Sequence, residues 1–360
     1  MSFKDKTLDS CTPTKQLKFA KKVVIVDGMI GGGKALLTSI ISSLPNVEMW
    51  MDKPEFEQAC ALYHLDHLSL DAAKTLINSW IENDIYEHSM GRRSNFKPSD
   101  QSCVFQYARP LKYFKRLFKS PLKALESMQK EMPILNCNTH VITSYAKPLF
   151  EAIGNRLVWI RVTRHPMSAY MLKFNKDWTE RFTKDDRHGT ILFKTMDQKS
   201  KLTLVPFYVK GIEKKYVDAN PIDKTILLLD KWIRDSDNFI DKTIKSTDAT
   251  IIEVPYEKFV FQPEEYIKKI ALALGVTPDN TTNKMMRRQG VPRKSLTDAP
   301  KILHNKHYIY NGWVAPKKNL TLAESFAEGR AYAAESASVE SLNTLDKLAE
   351  LYEARHNIKK

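Results

Sequence analysis

Hydrophobic positions along the chain fall into short continuous runs separated by longer segments with helical spacing. The short runs are rich in β-branched residues and cover residues 22–27, 47–50, 133–138, 156–163 and 249–254. Such runs are typical of strands that are buried on both faces of a sheet. The segments between them place apolar residues three or four positions apart, as amphipathic helices do. This alternation predicts an α/β fold in which a parallel sheet lies between two layers of helices.

The helical segments are predicted from spacing and from capping residues. They cover residues 34–43, 54–88, 222–246, 263–274 and 320–357, the last interrupted at Gly329. Ser69 provides N-cap chemistry inside the second segment, and Gly275 provides a C-cap after the fourth. The polar or basic composition of residues 184–220 and 280–318 predicts irregular structure. The first of these segments is long enough to contain a hairpin.

The pattern divides the chain into three parts. We expect a flexible leader over residues 1–20, a principal domain over residues 21–318 and a C-terminal helical extension over residues 319–360. Within the principal domain, residues 91–120 form a basic and aromatic insertion in which Lys and Arg alternate with Phe and Tyr. The sequence contains no internal repeat or low-complexity segment.

Charge and cysteine content narrow the class of protein. The formal net charge of +14 suits an anionic partner, such as a nucleotide or a sulfated or phosphorylated sugar. The four cysteines are widely spaced, which argues against a zinc site or a disulfide framework and favours a reducing compartment. We find neither a signal-peptide pattern nor a run of about 20 apolar residues. The expectation is a soluble cytoplasmic protein of undefined oligomeric state.

A glycine cluster follows the first predicted strand. The sequence there is Gly28-Met29-Ile30-Gly31-Gly32-Gly33-Lys34-Ala35. Glycines let a loop bring several backbone N–H groups to one anion, and the helix that follows adds the positive end of its dipole. The spacing fits the phosphate-binding motif G-x-x-x-x-G-K-[ST], except that Ala35 replaces the hydroxyl residue that holds Mg²⁺. We therefore expect a phosphate site with little capacity for a metal.

Three later segments extend this pattern in a fixed order. They are Asn138-Thr139-His140 at a strand end, residues 159–166 as a strand that runs into Arg-x-Pro, and residues 254–275 as strand, Tyr-Glu turn and helix. Together with the glycine loop, they resemble the sulfotransferase family over roughly residues 22–295. That family has a fold similar to the P-loop nucleotide triphosphatases. Its donor is 3′-phosphoadenosine 5′-phosphosulfate (PAPS).

The resemblance implies roles for individual residues of the donor site. Residues 31–35 match the loop that binds the 5′-phosphosulfate, with Lys34 as the cation beside it. Arg164 matches the arginine that holds the 3′-phosphate, and its planar fork suits that task. The family serine falls at Leu172 here, so the second ligand of this phosphate is either Ser168 or absent. Arg287, Arg288 and Gly290 match a late segment that closes over the 3′-phosphate and adenine.

The resemblance also implies a catalytic base. His140 matches the family histidine that takes the proton from the acceptor hydroxyl, a task that suits a group with a near-neutral pKa. Glu55 and His64 remain alternatives. The acceptor would be a hydroxylated small molecule or carbohydrate, with residues 91–120 on the acceptor side; no nucleic acid, membrane span or metal is expected.

The sequence is also compatible with two other functions. A P-loop kinase for a small molecule is favoured by the spacing from Gly28 to Lys34 and disfavoured by Ala35. A non-catalytic protein that binds a nucleotide or an anionic polymer is favoured by the altered loop, by Asn138 where the family has lysine, and by Leu172.

Overall fold

The computed structural model describes residues 12–98, 100–181, 190–196, 201–296, 298 and 320–358. Seven strands lie in these ranges: β1 (Lys22–Gly28), β2 (Met51–Asp52), β3 (Ile134–Asn138), β4 (Leu157–Thr163), β5 (Leu192–Met196), β6 (Leu202–Pro206) and β7 (Thr250–Pro255). Five of them form one parallel sheet in the order β2-β3-β1-β4-β7, and β5 and β6 form an antiparallel hairpin.

The central position of β1 follows from its sequence. Its residues Val23 to Val26 are all fully buried, and it pairs with β3 on one side and β4 on the other. Successive side chains of a strand point to opposite faces. Val24 and Val26 accordingly belong to one hydrophobic core, and Val23 and Ile25 belong to the second core on the other face of the sheet.

Helices cover both faces of the sheet. They are α1 (Lys34–Ile41), α2 (Pro54–His64), α3 (Leu70–Ser89), α4 (Pro110–Arg116), α5 (Pro121–Glu131), α6 (Lys147–Ile153), α7 (Ala169–Arg181), α8 (Glu213–Asp218), α9 (Pro221–Thr243), α10 (Tyr256–Phe261), α11 (Pro263–Leu274), α12 (Asn280–Arg288), α13 (Leu322–Ala334) and α14 (Val339–His356). The predicted three-layer α/β fold is thus confirmed. No helix in the described ranges is both long enough and apolar enough to span a membrane.

Several predicted elements differ in detail from the structure. The run at residues 47–50 only leads into β2, with a single bridge from Val47 to Ile134. Residues 54–88 form two helices, and the second begins at the predicted cap, where the Ser69 side chain accepts from the Ala72 amide. Residues 280–288, predicted as loop, form α12 because Asp279 caps that helix from outside. Residues 297 and 299–318 of that predicted loop lie outside the described residues.

The two ends of the described chain pack on the principal domain. Residues 12–20, part of the predicted leader, approach α3, where the Glu82 carboxylate accepts from the amides of Lys18 and Phe19 at 2.8 and 3.0 Å. Residues 1–11 lie outside the described residues. In the C-terminal extension, the break between α13 and α14 comes at residues 335–338, and Gly329 lies buried inside α13. The predicted interruption at Gly329 is therefore wrong.

Candidate functional site

The glycine loop lies at the carboxyl end of β1, between the ends of β3 and β4. Its last glycine, Gly33, has φ +99° and is the N-cap of α1, with no side-chain cap on the helix. A Cβ atom at Gly33 would lie 2.4 Å from the ring of Tyr256, which begins α10 after β7. Glycine is therefore required there by both conformation and space. The first N–H groups of α1 have no partner within the helix, so they are suited to an anion.

Helix α7 supports the other side of the loop. The Asn175 side chain donates to the Ile30 carbonyl at 2.8 Å, and a Cβ atom at Gly31 would meet the Met171 backbone and the Tyr170 ring at 3.4 Å. The loop is thus enclosed between α7 and Tyr256. This packing favours one loop conformation before any ligand arrives.

Lys34 turns back on the loop that precedes it. Its ammonium donates to the carbonyls of Gly28 and Met29 at 2.7 and 3.0 Å. Burial lowers the pKa of Lys34 from its ordinary value to about 8, and the nearby carboxylates of Asp27 and Glu57 only partly oppose this. A phosphate group in the loop would favour the charged form again. Lys34 is therefore a cation held at the base of the loop.

Arg164 follows β4 and lies on one flank of the loop. Its guanidinium carbon lies 4.2 Å from the ring centre of Tyr256 and 5.1 Å from that of Tyr170. One terminal nitrogen donates to the Gly31 carbonyl at 2.8 Å, while the buried Nε has no hydrogen-bond partner in the described part of the chain. Burying an N–H donor without a partner is unfavourable unless a ligand accepts from it.

Arg293 reaches the same tyrosine and was not identified from the sequence. Its side chain is nine-tenths buried and donates through Nη1 to the Tyr256 hydroxyl at 2.7 Å and through Nε to the Gly290 carbonyl at 3.2 Å. Its Nη2 is buried and has no hydrogen-bond partner among the described residues. Tyr256 thus joins two guanidinium groups, from Arg164 and Arg293, each with an unpaired donor. No local signal in the sequence distinguishes Arg293 from the other cations of its segment.

His140 lies on the opposite flank of the loop, just after β3. Its Nδ1 is 2.9 Å from a carboxylate oxygen of Glu57 on α2, and its backbone N–H donates to the same oxygen at 2.9 Å. An ionised carboxylate can only accept, so the proton belongs on Nδ1 and Nε2 keeps its lone pair. The side chain is 31% exposed. Glu57 was not identified from the sequence, although it lies in the segment after the second strand.

The backbone beyond His140 is locally strained. Val141 has φ +60°, which is unfavourable for a β-branched residue. Its amide lies 3.4 Å from the Gly28 carbonyl, the same atom that accepts from Lys34. Buried Asp27 holds this turn by accepting from Thr139 and Thr143. Strain of this kind is found where a side chain must be held in a defined direction.

The remaining predicted donor residues lie in different surroundings. Ser168 is buried, and its hydroxyl accepts from the Met171 amide as the cap of α7. Arg288 donates to the side chain and backbone of Gln106, and Arg287 is exposed. Gly290 enters the site only through the carbonyl that accepts from Arg293. The described contacts therefore bring Arg293, rather than Arg287 or Arg288, to Arg164.

The alternative bases, Glu55 and His64, have partners other than His140 in the described contacts. Glu55 forms an ion pair with the buried Lys53. His64 is at the far end of α2, with its ring centre 4.3 Å from that of Tyr145. Burial lowers the pKa of His64 to about 4.

Three cations of the basic and aromatic insertion bind protein acceptors. Lys112 and Arg116 bind the buried carboxylate of Glu48, and Arg109 donates to the Ser43 carbonyl and binds Asp279. Among the described contacts, none joins these three cations to the glycine loop or to His140. We therefore leave them out of the proposed acceptor site.

The C-terminal helices support the turn that carries Arg164. His165 is fully buried, and its ring stacks on Phe326 of α13 at 3.5 Å, while its Nε2 lies 3.0 Å from Glu353 of α14. A Cβ atom at Gly329 would lie 1.7 Å from the Met167 carbonyl oxygen. Helix α13 is therefore in direct backbone contact with the turn.

Replacing Gly329 by alanine should destabilise the protein and disturb Arg164. The new methyl group meets backbone that cannot move aside, so we expect a loss of about 1–3 kcal/mol or more in unfolding free energy. The matched control is Glu328→Ala, which changes the exposed neighbour on the same helix. Chemical denaturation measures the difference, and equal stability of the two variants would contradict the close contact.

Comparisons with known proteins give matches in structure and none in sequence. The sequence matches no protein-family model, and no curated protein matches it. The structure is similar to the sulfotransferase domain from the Synechococcus PCC 7002 olefin synthase, with 14% identity over 89% of this chain and 97% of that one and a TM-score of 0.39. It is also similar to sulfotransferase STF9 from Mycobacterium avium, with 10% identity over 95% and 78% of the two chains and a TM-score of 0.41. The roles of residues below are argued from the contacts above.

Proposed function

We propose that this protein is a sulfotransferase that uses PAPS and transfers the sulfuryl group to a hydroxyl of a small-molecule or carbohydrate acceptor. The observation that carries the proposal is the pairing of Arg164 and Arg293 at Tyr256, each with a buried, unpaired N–H donor. A nucleotide with phosphates at both the 3′ and 5′ positions presents two anionic groups. The glycine loop and the arginine pair supply two matching anion sites.

The residues fit the donor by their chemistry. The uncapped first turn of α1 and the charge of Lys34 would hold the 5′-phosphosulfate. The free donors of Arg164 and Arg293 would hold the 3′-phosphate, whose bidentate recognition suits guanidinium groups. The half-buried ring of Tyr170 beside the loop is suited to contact the nucleoside.

The proposed sulfuryl transfer uses His140 and Glu57 on one flank of the loop, together with Lys34 and the loop amides. The bound donor supplies an electrophilic sulfuryl group attached to the 5′-phosphate. Nε2 of His140 accepts the proton of the acceptor hydroxyl, while Glu57 holds the ring and stabilises the imidazolium that results. The loop amides and Lys34 stabilise the negative charge that develops on the 5′-phosphate. The acceptor oxygen thereby gains its bond to sulfur as the bond from sulfur to the phosphate oxygen breaks.

The proposal is tested by following release of adenosine 3′,5′-bisphosphate from PAPS with a panel of phenolic and sugar acceptors. We expect turnover in the full chain and a loss of about 10²-fold or more in Lys34→Met, because the charge on the leaving phosphate is no longer offset. The control Lys284→Met changes an exposed lysine on α12. Equal turnover in Lys34→Met and the full chain would contradict the assignment, and donor binding without turnover across the panel would favour a non-catalytic protein.

A further inference from the structure

Residues 92–123 expose an unusual amount of apolar surface. Six of the fourteen large apolar side chains that are exposed among the described residues lie here: Phe96, Phe105, Leu111, Leu117, Phe118 and Leu122, which we call the apolar patch. Phe118 is 90% exposed, Leu122 74% and Leu111 70%. Side chains this exposed project from the surface rather than line a groove. A monomer in water rarely groups such side chains without a function.

Four members of the patch, Phe96, Phe105, Leu111 and Leu117, lie around Phe114. The rings of Phe96, Phe105 and Phe114 are in mutual contact, with centroids 5.8–6.3 Å apart. Phe114 lies on α4 three residues after Leu111 and three before Leu117, so the three side chains share one edge of that helix. The helical turn continues through residue 119, where the Phe118 and Lys119 amides donate to the carbonyls three residues earlier.

Helix α4, which carries part of the patch, is bound to the rest of the protein through Glu48. Glu48 is buried and accepts from Lys112 at 2.8 Å, from the Tyr113 hydroxyl at 2.6 Å and from both terminal nitrogens of Arg116. The patch therefore belongs to an anchored element of the fold, and its exposure does not come from a loosely attached segment.

The exposed charged side chains of this segment are positive. Residues 92–123 contain nine Lys or Arg and a single acidic residue, Asp100, which is only half-buried. Five of the nine cations bind carboxylates of neighbouring segments. Lys97, Lys115 and Lys123 are exposed among the apolar side chains. A second copy would bring the same positive charge against it, whereas an acidic surface would be attracted. The leucines of the patch cannot stack on nucleic-acid bases, but they can enter hydrocarbon.

We propose that the apolar patch docks on a membrane surface that contains anionic lipids. Phe118, Leu122 and Leu111 enter the boundary between headgroups and acyl chains, and the exposed lysines contact the lipid phosphates and carboxylates. Apolar burial and electrostatic attraction add in such binding. The proposal is independent of the sulfotransferase assignment, since it uses none of the site residues.

Vesicle flotation of the full chain tests it. We expect binding to vesicles of phosphatidylcholine with 30% phosphatidylserine, roughly tenfold weaker binding to phosphatidylcholine alone, and release by salt. The double variant Phe118→Ser/Leu122→Ser should lose binding by roughly tenfold. The control Leu272→Ser removes a side chain that is 82% exposed on α11 and should bind as the unmodified chain does.

The proposal is overturned if the unmodified chain does not float with anionic vesicles. It is also overturned if the double variant and the control bind the vesicles equally well. A dimer in sedimentation that the double variant loses, without vesicle binding, would assign the patch to a second copy. Tighter binding to single-stranded DNA than to the vesicles, lost in the double variant, would assign it to nucleic acid. Circular dichroism shows whether the double variant is folded.

Discussion

Replacing His140 by glutamine is expected to lower turnover by about 10²–10⁴-fold, the range that a general base contributes. The reason is that Nε2 is the only ring nitrogen left with a lone pair once Nδ1 donates to Glu57. Glutamine keeps similar size and polarity but cannot accept the proton from the acceptor. Binding of adenosine 3′,5′-bisphosphate should change by less than about twofold, because Arg164 and the loop are unaffected.

Two further variants make the test of His140 specific. Glu57→Gln keeps an acceptor for Nδ1 and removes the charge, so its turnover should lie between that of the unmodified chain and that of His140→Gln. His64→Gln removes an alternative base that lies at the far end of α2 and should leave turnover unchanged. Full activity in His140→Gln, or loss of activity in His64→Gln, would contradict the role given to His140.

Replacing Glu48 by glutamine is expected to cost about 3–5 kcal/mol of unfolding free energy, because the buried Arg116 and the half-buried Lys112 lose their counter-charge. Burial alone would raise the pKa of Glu48, but Lys112 and Arg116 outweigh burial and hold it well below its ordinary value. A carboxylate with a lowered pKa stabilises the protein above its unfolded pKa, near 4.5, and this contribution is lost as the pH falls towards the folded value.

The measurement for Glu48 is chemical denaturation at pH 7 and at pH 3.5. Glu48→Gln should be less stable at pH 7, and its stability should fall less between the two values than that of the unmodified chain. The control Glu264→Gln changes an exposed carboxylate at the start of α11 and should behave as the unmodified chain does. An equal loss on acidification in all three proteins would contradict the ion-pair network.

The sequence predicts the elements whose signals are local. Residues 22–34 contain a strand, a glycine turn and a helix start within one short stretch, and β1, the loop and α1 form there. Gly275 is in the left-handed conformation expected of a C-cap, at φ +64°. Contacts between distant segments are different, because nothing near Gly329 in sequence indicates that it meets Met167.

The candidate site likewise combines residues with a local sequence signal and residues that only tertiary packing brings to it. Strand ends reveal Lys34, His140 and Arg164, because residues at the carboxyl edge of a parallel sheet come together whatever the connections between strands. Arg293 and Glu57 come from a turn and a helix that reach the site only through tertiary packing. The basic pattern around Arg287 and Arg288 continues to Arg293, and only the position of Tyr256 distinguishes among them.

The most direct test of the proposed PAPS site is calorimetric titration of the full chain with adenosine 3′,5′-bisphosphate and with ADP, each with and without Mg²⁺. We expect the bisphosphate to bind without metal and more tightly than ADP. We also expect Arg293→Met to weaken this binding by roughly tenfold or more, as expected for loss of a charged hydrogen bond. Preference for ADP with Mg²⁺, or equal binding of the bisphosphate by Arg293→Met, would contradict it.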